Sequence, residues 1–187
     1  MPRQNRVTPF GEIVAVPERG TVMGNRGRLH DAEGHIRRPW QVKRWLLCKL
    51  EFRGRRRMVM APNRYTELFF LDEATGLAAG HRPCAECRRG WFLAFRDAWA
   101  AGNRRLLDSE PIRAAAIDDR LHPERTLPDR SKRIFTASID ELPDGVLVKL
   151  GSSDGGACLI WGGNLLGLSP GGYTGRRPDP GARWYRS

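Results

Sequence analysis

Two cysteines separated by two residues, Cys84 and Cys87, constrain the fold of this chain more than any other feature. Thiols at this spacing on a tight turn can bind one Zn²⁺ ion through bonds of about 2.3 Å. Pro83 stiffens the approach to the turn, and the neighbouring Arg82, Arg88 and Arg89 favour the thiolate form. A structural zinc site has four ligands, so we expect the fold to bring two more from elsewhere.

The candidates for these two ligands are the remaining cysteines and histidines: Cys48, Cys158, His30, His35, His81 and His122. Cys48 lies in an alternating strand pattern, where an inert buried cysteine is the alternative, and Cys158 is predicted to be a core residue. His81 either binds the metal or caps the helix before it. We predict a mixed site of Cys84, Cys87, Cys48 and His81. A redox-active pair is the other functional interpretation, although such a pair usually opens a helix directly after a strand.

Short strands are predicted in the first third of the chain. Apolar runs at 11–16 and 21–23 indicate two of them, after a loose arm at 1–9. The alternation of residues 41–52 is the strongest strand signal, and Arg53-Gly54-Arg55-Arg56 predicts a hairpin turn before a returning strand at 57–60. These strands predict an antiparallel N-terminal sheet.

Helical signals follow, and the pattern then returns to strands. Asp72 is a good N-cap for a short helix that ends at Gly80, further helices are expected at 90–101 and 112–121, and Pro123 should end the last of them. From residue 134 on, alternating turns and short apolar runs predict a β-meander. We therefore predict an α+β fold.

This pattern divides the chain into three parts. A β-hairpin and helical zinc-knuckle domain spans 1–130, the meander spans 131–173 and packs on that domain, and a mobile tail spans 174–187.

The charge of the chain favours a polyanionic partner. The chain has 32 Lys and Arg against 21 Asp and Glu, a net charge of +11, and 28 of the cations are Arg. Such a balance is typical of proteins that bind nucleic acid. The candidate contacts are the cations of the hairpin tip and of the cysteine turn: Arg53, Arg55, Arg56, Arg57, Arg82, Arg88 and Arg89. The alternative is a solvated rim with no ligand.

One segment resembles a known module. Residues 69–88, FFLDEATGLAAGHRPCAECR, have a strand ending in aromatic residues, a short helix ending in Ala-Ala-Gly, and then Arg-Pro-Cys, two residues, Cys and Arg. This order resembles the zinc-binding module of the Ada-type DNA methylphosphotriester repair proteins, over about 20 of the 187 residues. The rest of the chain resembles uncharacterised bacterial proteins, which imply no function.

The resemblance implies that Cys84 and Cys87 bind zinc in a small domain that contacts DNA phosphates. In that family, two upstream cysteines four residues apart complete a four-cysteine site, and one of them accepts the methyl group. Here the upstream part of the chain has one cysteine, Cys48, with no partner four residues away.

These observations predict a zinc-stabilised nucleic-acid-binding protein, with DNA favoured over RNA. The alternative is a metal-dependent nuclease or DNA-repair enzyme, so enzymatic activity stays open. Its groups would be a thiolate at Cys48 or Cys84, the set His30, Asp31 and His35, or the set Asp118, His122 and Glu124. A second alternative is a structural or partner-binding protein without affinity for nucleic acid.

The remaining features concern the compartment of the protein. No apolar run approaches the ~20 residues that cross a bilayer, and the first residues, MPRQNR, lead into no signal sequence. Four cysteines form no disulfide framework. We expect a cytoplasmic protein with reduced thiols and no membrane partner.

Overall fold

The computed structural model describes residues 1–54, 58–106, 112–150, 156–178 and 184–186, the last three by their backbone alone. Two β-sheets and three α-helices lie in these ranges, which confirms the predicted α+β class. Within the described part of the chain, the helices are all too short or too polar to cross a membrane.

The first sheet contains six short strands. They are β1 (Gln4–Val7), β2 (Ile13–Ala15), β3 (Val22–Asn25), β4 (Leu46–Cys48), β5 (Leu68–Phe70) and β6 (Arg82–Pro83), in the spatial order β2-β1-β5-β3-β4-β6. The pairs β1/β2, β3/β4 and β3/β5 are antiparallel, whereas β1/β5 and β4/β6 are parallel. The sheet that we predicted to be antiparallel is therefore mixed.

The prediction of a hairpin at 41–60 is wrong, because the strand in this range pairs with distant segments of the chain. Among the described residues of this range, only Leu46–Cys48 forms a strand, and its partners are β3 and β6. The backbone N–H groups of Gln41 and Val42 both donate to the carbonyl of Arg26, so residues 41–45 bend around that residue instead of extending the strand. The predicted loose arm at 1–9 is likewise replaced by β1, which pairs with β2 and β5.

Three helices pack beside this sheet: α1 (Glu73–Ala78), α2 (Arg89–Gly102) and α3 (Ala114–Arg125). Asp72 caps α1 as predicted, since its carboxylate accepts the N–H of Thr75 at 2.8 Å. Helix α3 continues through Pro123, against the prediction. Proline removes one hydrogen bond in this last turn, and the Thr126 hydroxyl donates to the carbonyl of His122 there. Short 3₁₀ turns lie at Arg104–Leu106 and Ile139–Glu141.

The second sheet lies in the last third of the chain. Its strands are β7 (Thr136–Ser138), β8 (Leu147–Lys149), β9 (Ala157–Trp161), β10 (Asn164–Ser169), β11 (Gly172–Pro178) and β12 (Trp184–Arg186), in the order β11-β10-β9-β8-β12-β7. All its pairs are antiparallel. The predicted meander is present as β8 to β10, and it continues into the predicted tail because β11 pairs along the whole of β10.

Each sheet has its own apolar core. Leu47, Leu68 and Phe70 belong to the first core, and Val148 and Leu165 belong to the second. A direct link joins the two regions, since the Tyr173 hydroxyl on β11 donates to the Asp72 carboxylate before α1 at 2.6 Å.

Candidate metal centre

Three buried cysteines meet at one edge of the first sheet. The Sγ atoms of Cys48, Cys84 and Cys87 all lie within 4.8 Å of one another. Each residue is 8% exposed, and each is a free thiol. The predicted pair is thus joined by the predicted third cysteine. Three sulfur atoms this close together could hold a metal ion.

The end of helix α1 turns the chain back toward this cluster. The N–H of Gly80 donates to the Leu77 carbonyl at 2.8 Å, and the N–H of His81 donates to the Gly76 carbonyl at 3.0 Å. This pair of bonds is the Schellman motif, which places the residue after the helix in the left-handed region. Gly80 has φ +89°, and a Cβ there would lie 3.0 Å from Cδ of Arg125. Glycine is therefore required at the turn that aims the chain at β4.

The next residues pair with β4 and bring Cys84 beside Cys48. The N–H of Arg82 donates to the Trp45 carbonyl at 3.1 Å, and the N–H of Cys84 donates to the Leu47 carbonyl at 2.9 Å. Pro83 lies between these two donors. It lacks an N–H, and the ladder needs none at that position.

The alternation of β4 aims Cys48 at the other two thiols. Successive side chains of a strand point to opposite faces. Leu47 accordingly enters the core of the first sheet, while Leu46 and Cys48 lie on the opposite side, as the sequence pattern predicted. Met23 of β3 is paired with Cys48 and packs against the cysteines, so the cluster has an apolar wall.

Hydrogen bonds around the turn favour a thiolate at Cys84. The pKa of its thiol is lowered to about 5, chiefly by the hydrogen bond from Cys48 and further by the backbone N–H groups of Cys87 and Glu86. Two effects raise the pKa of the Cys48 thiol: the hydrogen bond that it donates to Cys84, which is the larger, and burial. Burial also raises the pKa of the Cys87 thiol. The N–H of Lys49 also donates to Cys87. Hydrogen bonding, rather than the neighbouring arginines that the sequence suggested, is the cause at Cys84.

His81, the fourth predicted ligand, does not join the thiols. The centroid of its ring lies 4.7 Å from that of Phe70 and 5.4 Å from that of Trp45. Burial, together with the charges of Arg26 and Arg125, lowers the pKa of His81, so the ring is neutral. The residue is 2% exposed and packs in the interior against these two rings.

The prediction that Arg82 contacts nucleic acid is wrong, because this residue is not at the surface. It is 1% exposed, and its guanidinium forms two hydrogen bonds with the Asp118 carboxylate, at 2.8 Å and 2.6 Å. This ion pair ties β6 to α3. Arg88 is bonded to Glu73 at 2.7 Å and is also largely withdrawn from solvent.

Of the other predicted nucleic-acid contacts, two lie at the surface and three lie outside the residues that the structure describes. Arg53 and Arg89 are exposed, five residues after Cys48 and two residues after Cys87 respectively. Arg55, Arg56 and Arg57 lie outside the described residues.

The first of the two nuclease sets is only partly assembled. His30 faces inward, with Nδ1 2.6 Å from the Thr66 hydroxyl and Nε2 3.2 Å from the Ala61 carbonyl. Asp31 and His35 do meet, together with Glu33, at the surface. Arg37 binds Asp31 at 2.6 Å, so these groups already have a cationic partner.

The second set is dispersed by packing. Asp118 is bonded to Arg82, and the ring of His122 lies edge-on to Trp40, at 4.5 Å between centroids. Among the described residues, Glu124 joins neither of them in a group with metal-ligand spacing.

Sequence reasoning did not find the backbone donors at Lys49 and Glu86 or the wall formed by Met23. An apolar strand signal at 21–23 was present, but the β3–β4 register that places Met23 next to Cys48 has no local signature. Among the described residues, the thiol cluster has no fourth Cys, His, Asp or Glu ligand atom.

Comparison of the chain with models of protein families, with curated proteins and with solved structures finds no match.

Proposed function

We propose that this protein is a zinc-stabilised nucleic-acid-binding protein, in which Cys48, Cys84 and Cys87 bind Zn²⁺. The observation that carries the metal part of the proposal is the convergence of three buried Sγ atoms within 4.8 Å of one another. Three features of the fold assemble them: the Schellman turn, the β4–β6 ladder and the alternation of β4.

The donor set supports zinc. Thiolates select soft or borderline metals such as Zn²⁺ over Mg²⁺ and Ca²⁺, which prefer oxygen. The N–H groups that donate to Cys84 and Cys87 would also orient the sulfur atoms and offset their negative charge. Met23, Leu46 and Phe69 would limit the access of water.

The charge around the cluster supports contact with nucleic-acid phosphates. Lys49, Arg53 and Arg89 are exposed and close in sequence to the three cysteines, against the exposed Glu51 and Glu86. Phosphate contacts by such cations supply most sequence-independent affinity.

An aromatic side chain and the resemblance of residues 69–88 to the Ada-type module add to this. Trp91, in the first turn of α2, is 60% exposed, which suits stacking on a base. The resemblance favours DNA over RNA as the partner.

The test of the metal part compares wild type with Cys84→Ser, both purified without added metal. We expect one zinc per wild-type chain and loss of zinc with loss of folding in the variant, because the free energy of binding the metal is also free energy of folding. A metal-free wild type that is fully folded would contradict the proposal.

The test of the nucleic-acid part is a salt titration with a DNA duplex of random sequence, on zinc-loaded protein. Arg89→Gln should lower the slope of log K against log[salt] by about 1, the effect of one lost phosphate contact. Arg176→Gln is the matched control, since Arg176 is exposed on the second sheet. Equal effects of the two variants would refute a contact localised at the cysteine turn. Absence of binding at physiological salt would refute the nucleic-acid part and leave the metal part standing.

A second candidate function is that of a DNA-repair enzyme or nuclease. It is favoured by the number of protein ligands at the metal centre, which is three in the described residues. Structural zinc sites are closed by four protein ligands, whereas reactive sites hold three and leave one position to water or substrate. Three thiols are present in the described part of the chain. In the repair reaction, the Cys48 thiolate would attack the methyl carbon of a methylated DNA phosphate, the C–O bond would break, and the phosphate oxygen would keep the electron pair.

This candidate is tested by mass spectrometry of the protein after incubation with methylphosphotriester DNA. A gain of one methyl group that maps to Cys48 supports it, and an unmodified chain contradicts the methyl-transfer reaction. Cleavage of plain duplex DNA by the zinc-loaded protein, abolished in Cys84→Ser, would instead support the nuclease.

A further inference from the structure

A cleft of about 700 Å³ lies between the two sheets, apart from the three thiols. Residues of β1 and β2, including Arg6 and Val14, form one wall, and Ala157 of β9 and Leu168 of β10 form another. Cavities of roughly 300–1,000 Å³ are the size of small-ligand sites. None of the described lining residues belongs to the thiol cluster.

The charge of this cleft is strongly positive. Its described lining includes the cations Arg6, Arg26, Arg130, Lys132 and Lys149. Glu12 is the single carboxylate among the described lining residues, so five cations against one anion leave a net charge of +4. Within the described residues, none of the five cations forms an ion pair with a carboxylate.

Two of these cations, Arg6 and Arg26, are buried. Arg26 is 2% exposed and Arg6 is 6% exposed. The Arg26 guanidinium donates to the carbonyls of Gly11 and Pro39, at 3.1 Å and 3.4 Å. Arg6 donates to the carbonyl of Glu18 and, at 3.2 Å, to that of Pro170. These acceptors are neutral, so the charge of Arg26 has no carboxylate to offset it, whereas Glu18 offsets part of the charge of Arg6. The buried Nε atoms of both arginines have no hydrogen-bond partner among the described residues. Buried charge without compensation is unfavourable, and an anion in the cleft would relieve it.

Aromatic and aliphatic groups line the rest of the cleft. Phe10 and Trp40 are partly buried and belong to the lining. The Arg130 guanidinium lies 4.4 Å from the ring centroid of Trp40, and Nε1 of Trp40 is a further buried donor without a partner in the described residues. A flat ring can pack against such side chains while a linked anion reaches the cations.

We propose that this cleft binds a nucleotide unit, with its phosphate among the cations and its base against Phe10 and Trp40. Guanidinium and ammonium groups match phosphate oxygens, and the apolar lining matches a planar base. The same unit can come from a free nucleotide or from one residue of a nucleic-acid strand. The site does not depend on the metal centre, because the two share no residue.

The test is calorimetric titration of the zinc-loaded protein with four probes: adenosine 5′-monophosphate, adenosine, inorganic phosphate and a ten-residue single-stranded oligodeoxyadenylate. We expect the monophosphate to bind at least about tenfold more tightly than adenosine or phosphate, because each of those has only half of the recognition chemistry. Lys132→Gln should weaken its binding about tenfold or more, the effect of one lost charge-assisted contact.

The matched control is Lys43→Gln, which removes the same charge from an exposed lysine outside the cleft that pairs with Asp119. It should leave nucleotide binding unchanged. Phe10→Ala should weaken the monophosphate and leave phosphate unaffected. Phosphate binding as tightly as the monophosphate, or equal effects of the two lysine variants, would overturn the proposal.

The oligonucleotide distinguishes the two sources. Tight binding of the monophosphate with weak binding of the strand assigns the cleft to free nucleotides. Strand binding that is lost in Lys132→Gln assigns it to nucleic acid. If neither probe binds at millimolar concentration while the zinc is retained, the cleft proposal is overturned and the proposed metal centre is untouched.

Discussion

Cys48 and Cys158 are both buried cysteines in short strands, one in each sheet, and their surroundings differ. The thiol of Cys48 meets two other thiols that a tight turn presents. Cys158 packs in the core of the second sheet, where its Sγ lies 3.9 Å from the Gly156 carbonyl and 3.4 Å from an Arg177 nitrogen. Burial alone therefore does not distinguish a ligand from a core cysteine. The distinction lies in which strand pairs with the segment that contains Cys84 and Cys87.

The largest expected effect tests this distinction directly. Cys48→Ala should weaken zinc binding by more than the ~10–100-fold that is typical of changes next to a metal site, and should lower the midpoint of thermal unfolding, because it removes a ligand. The measurements are zinc per chain and a thermal melt.

Cys158→Ala is the matched control, since it also removes one buried sulfur. It should keep one zinc per chain and lower the free energy of unfolding by about 1 kcal/mol, the value of a small apolar group. Equal zinc loss in both variants would remove the difference between the two cysteines.

The next effect concerns the buried ion pair between Arg82 of β6 and Asp118 of α3. Asp118→Ala should lower the free energy of unfolding by about 3–5 kcal/mol, because it leaves Arg82 buried without its partner. Urea unfolding measures this.

The apolar double variant Arg82→Met with Asp118→Leu should recover most of the lost stability if the pair has only a structural role. A double variant as unstable as Asp118→Ala would contradict the account of Arg82 as a purely structural cation.

A substitution that creates a cavity in the core of the second sheet should lower the stability of the protein without changing its zinc content. Leu165→Ala should lower the free energy of unfolding by about 2–5 kcal/mol, since Leu165 is fully buried. Zinc content at 25 °C should stay at one per chain as long as the protein is folded. Substoichiometric zinc in a folded Leu165→Ala protein would show that the second sheet contributes to the metal centre.

A smaller effect is expected at the link between the two regions. Tyr173→Phe removes the bond from the tyrosine hydroxyl to Asp72 and leaves the helix cap intact, because the cap uses the other carboxylate oxygen. The expected loss is about 0.5–1.5 kcal/mol in chemical denaturation. A loss several times larger would mean that the two sheets depend on each other far more than this contact indicates.

The smallest effect is expected in the group of Asp31, Glu33 and His35. Like the three thiols, these residues have the spacing of metal ligands, but they lie at the surface. The N–H of His35 and the side chain of Arg37 bond to Asp31 and lower its pKa to about 2. An ordinary aspartate has a pKa near 3.9, so the bonds to Asp31 stabilise the fold above about pH 4, and this contribution is lost as the pH falls toward 2. Asp31→Asn should therefore be slightly less stable than wild type at pH 6, with a difference that vanishes near pH 2. A difference that persists at low pH would assign it to packing rather than charge.

The local features of the fold could be predicted from the sequence. The cap at Asp72, the turn at Gly80 and the alternation that places Leu47 and Cys48 on opposite faces each depend on residues within a few positions of one another. The meander could be predicted for the same reason, since its strands follow each other through short turns.

The pairing between distant segments could not be predicted. The strand β4 pairs with β3 and β6 instead of with the residues that follow it, and β11 continues the second sheet past Tyr173. His81 and Arg82 show the same limit. Both are next to the cysteine turn in sequence, but the ladder with β4 buries them among Phe70, Trp45 and Asp118, which no local pattern reveals.

The most direct test of the central claim is X-ray absorption at the zinc edge, on protein purified without added metal. We expect zinc with three sulfur neighbours at about 2.3 Å and a lighter atom in the remaining position. The zinc that Cys48→Ala retains should have two sulfur neighbours, with Cys158→Ala unchanged at three. A zinc without sulfur neighbours, or a sulfur count that falls in Cys158→Ala and not in Cys48→Ala, would contradict it.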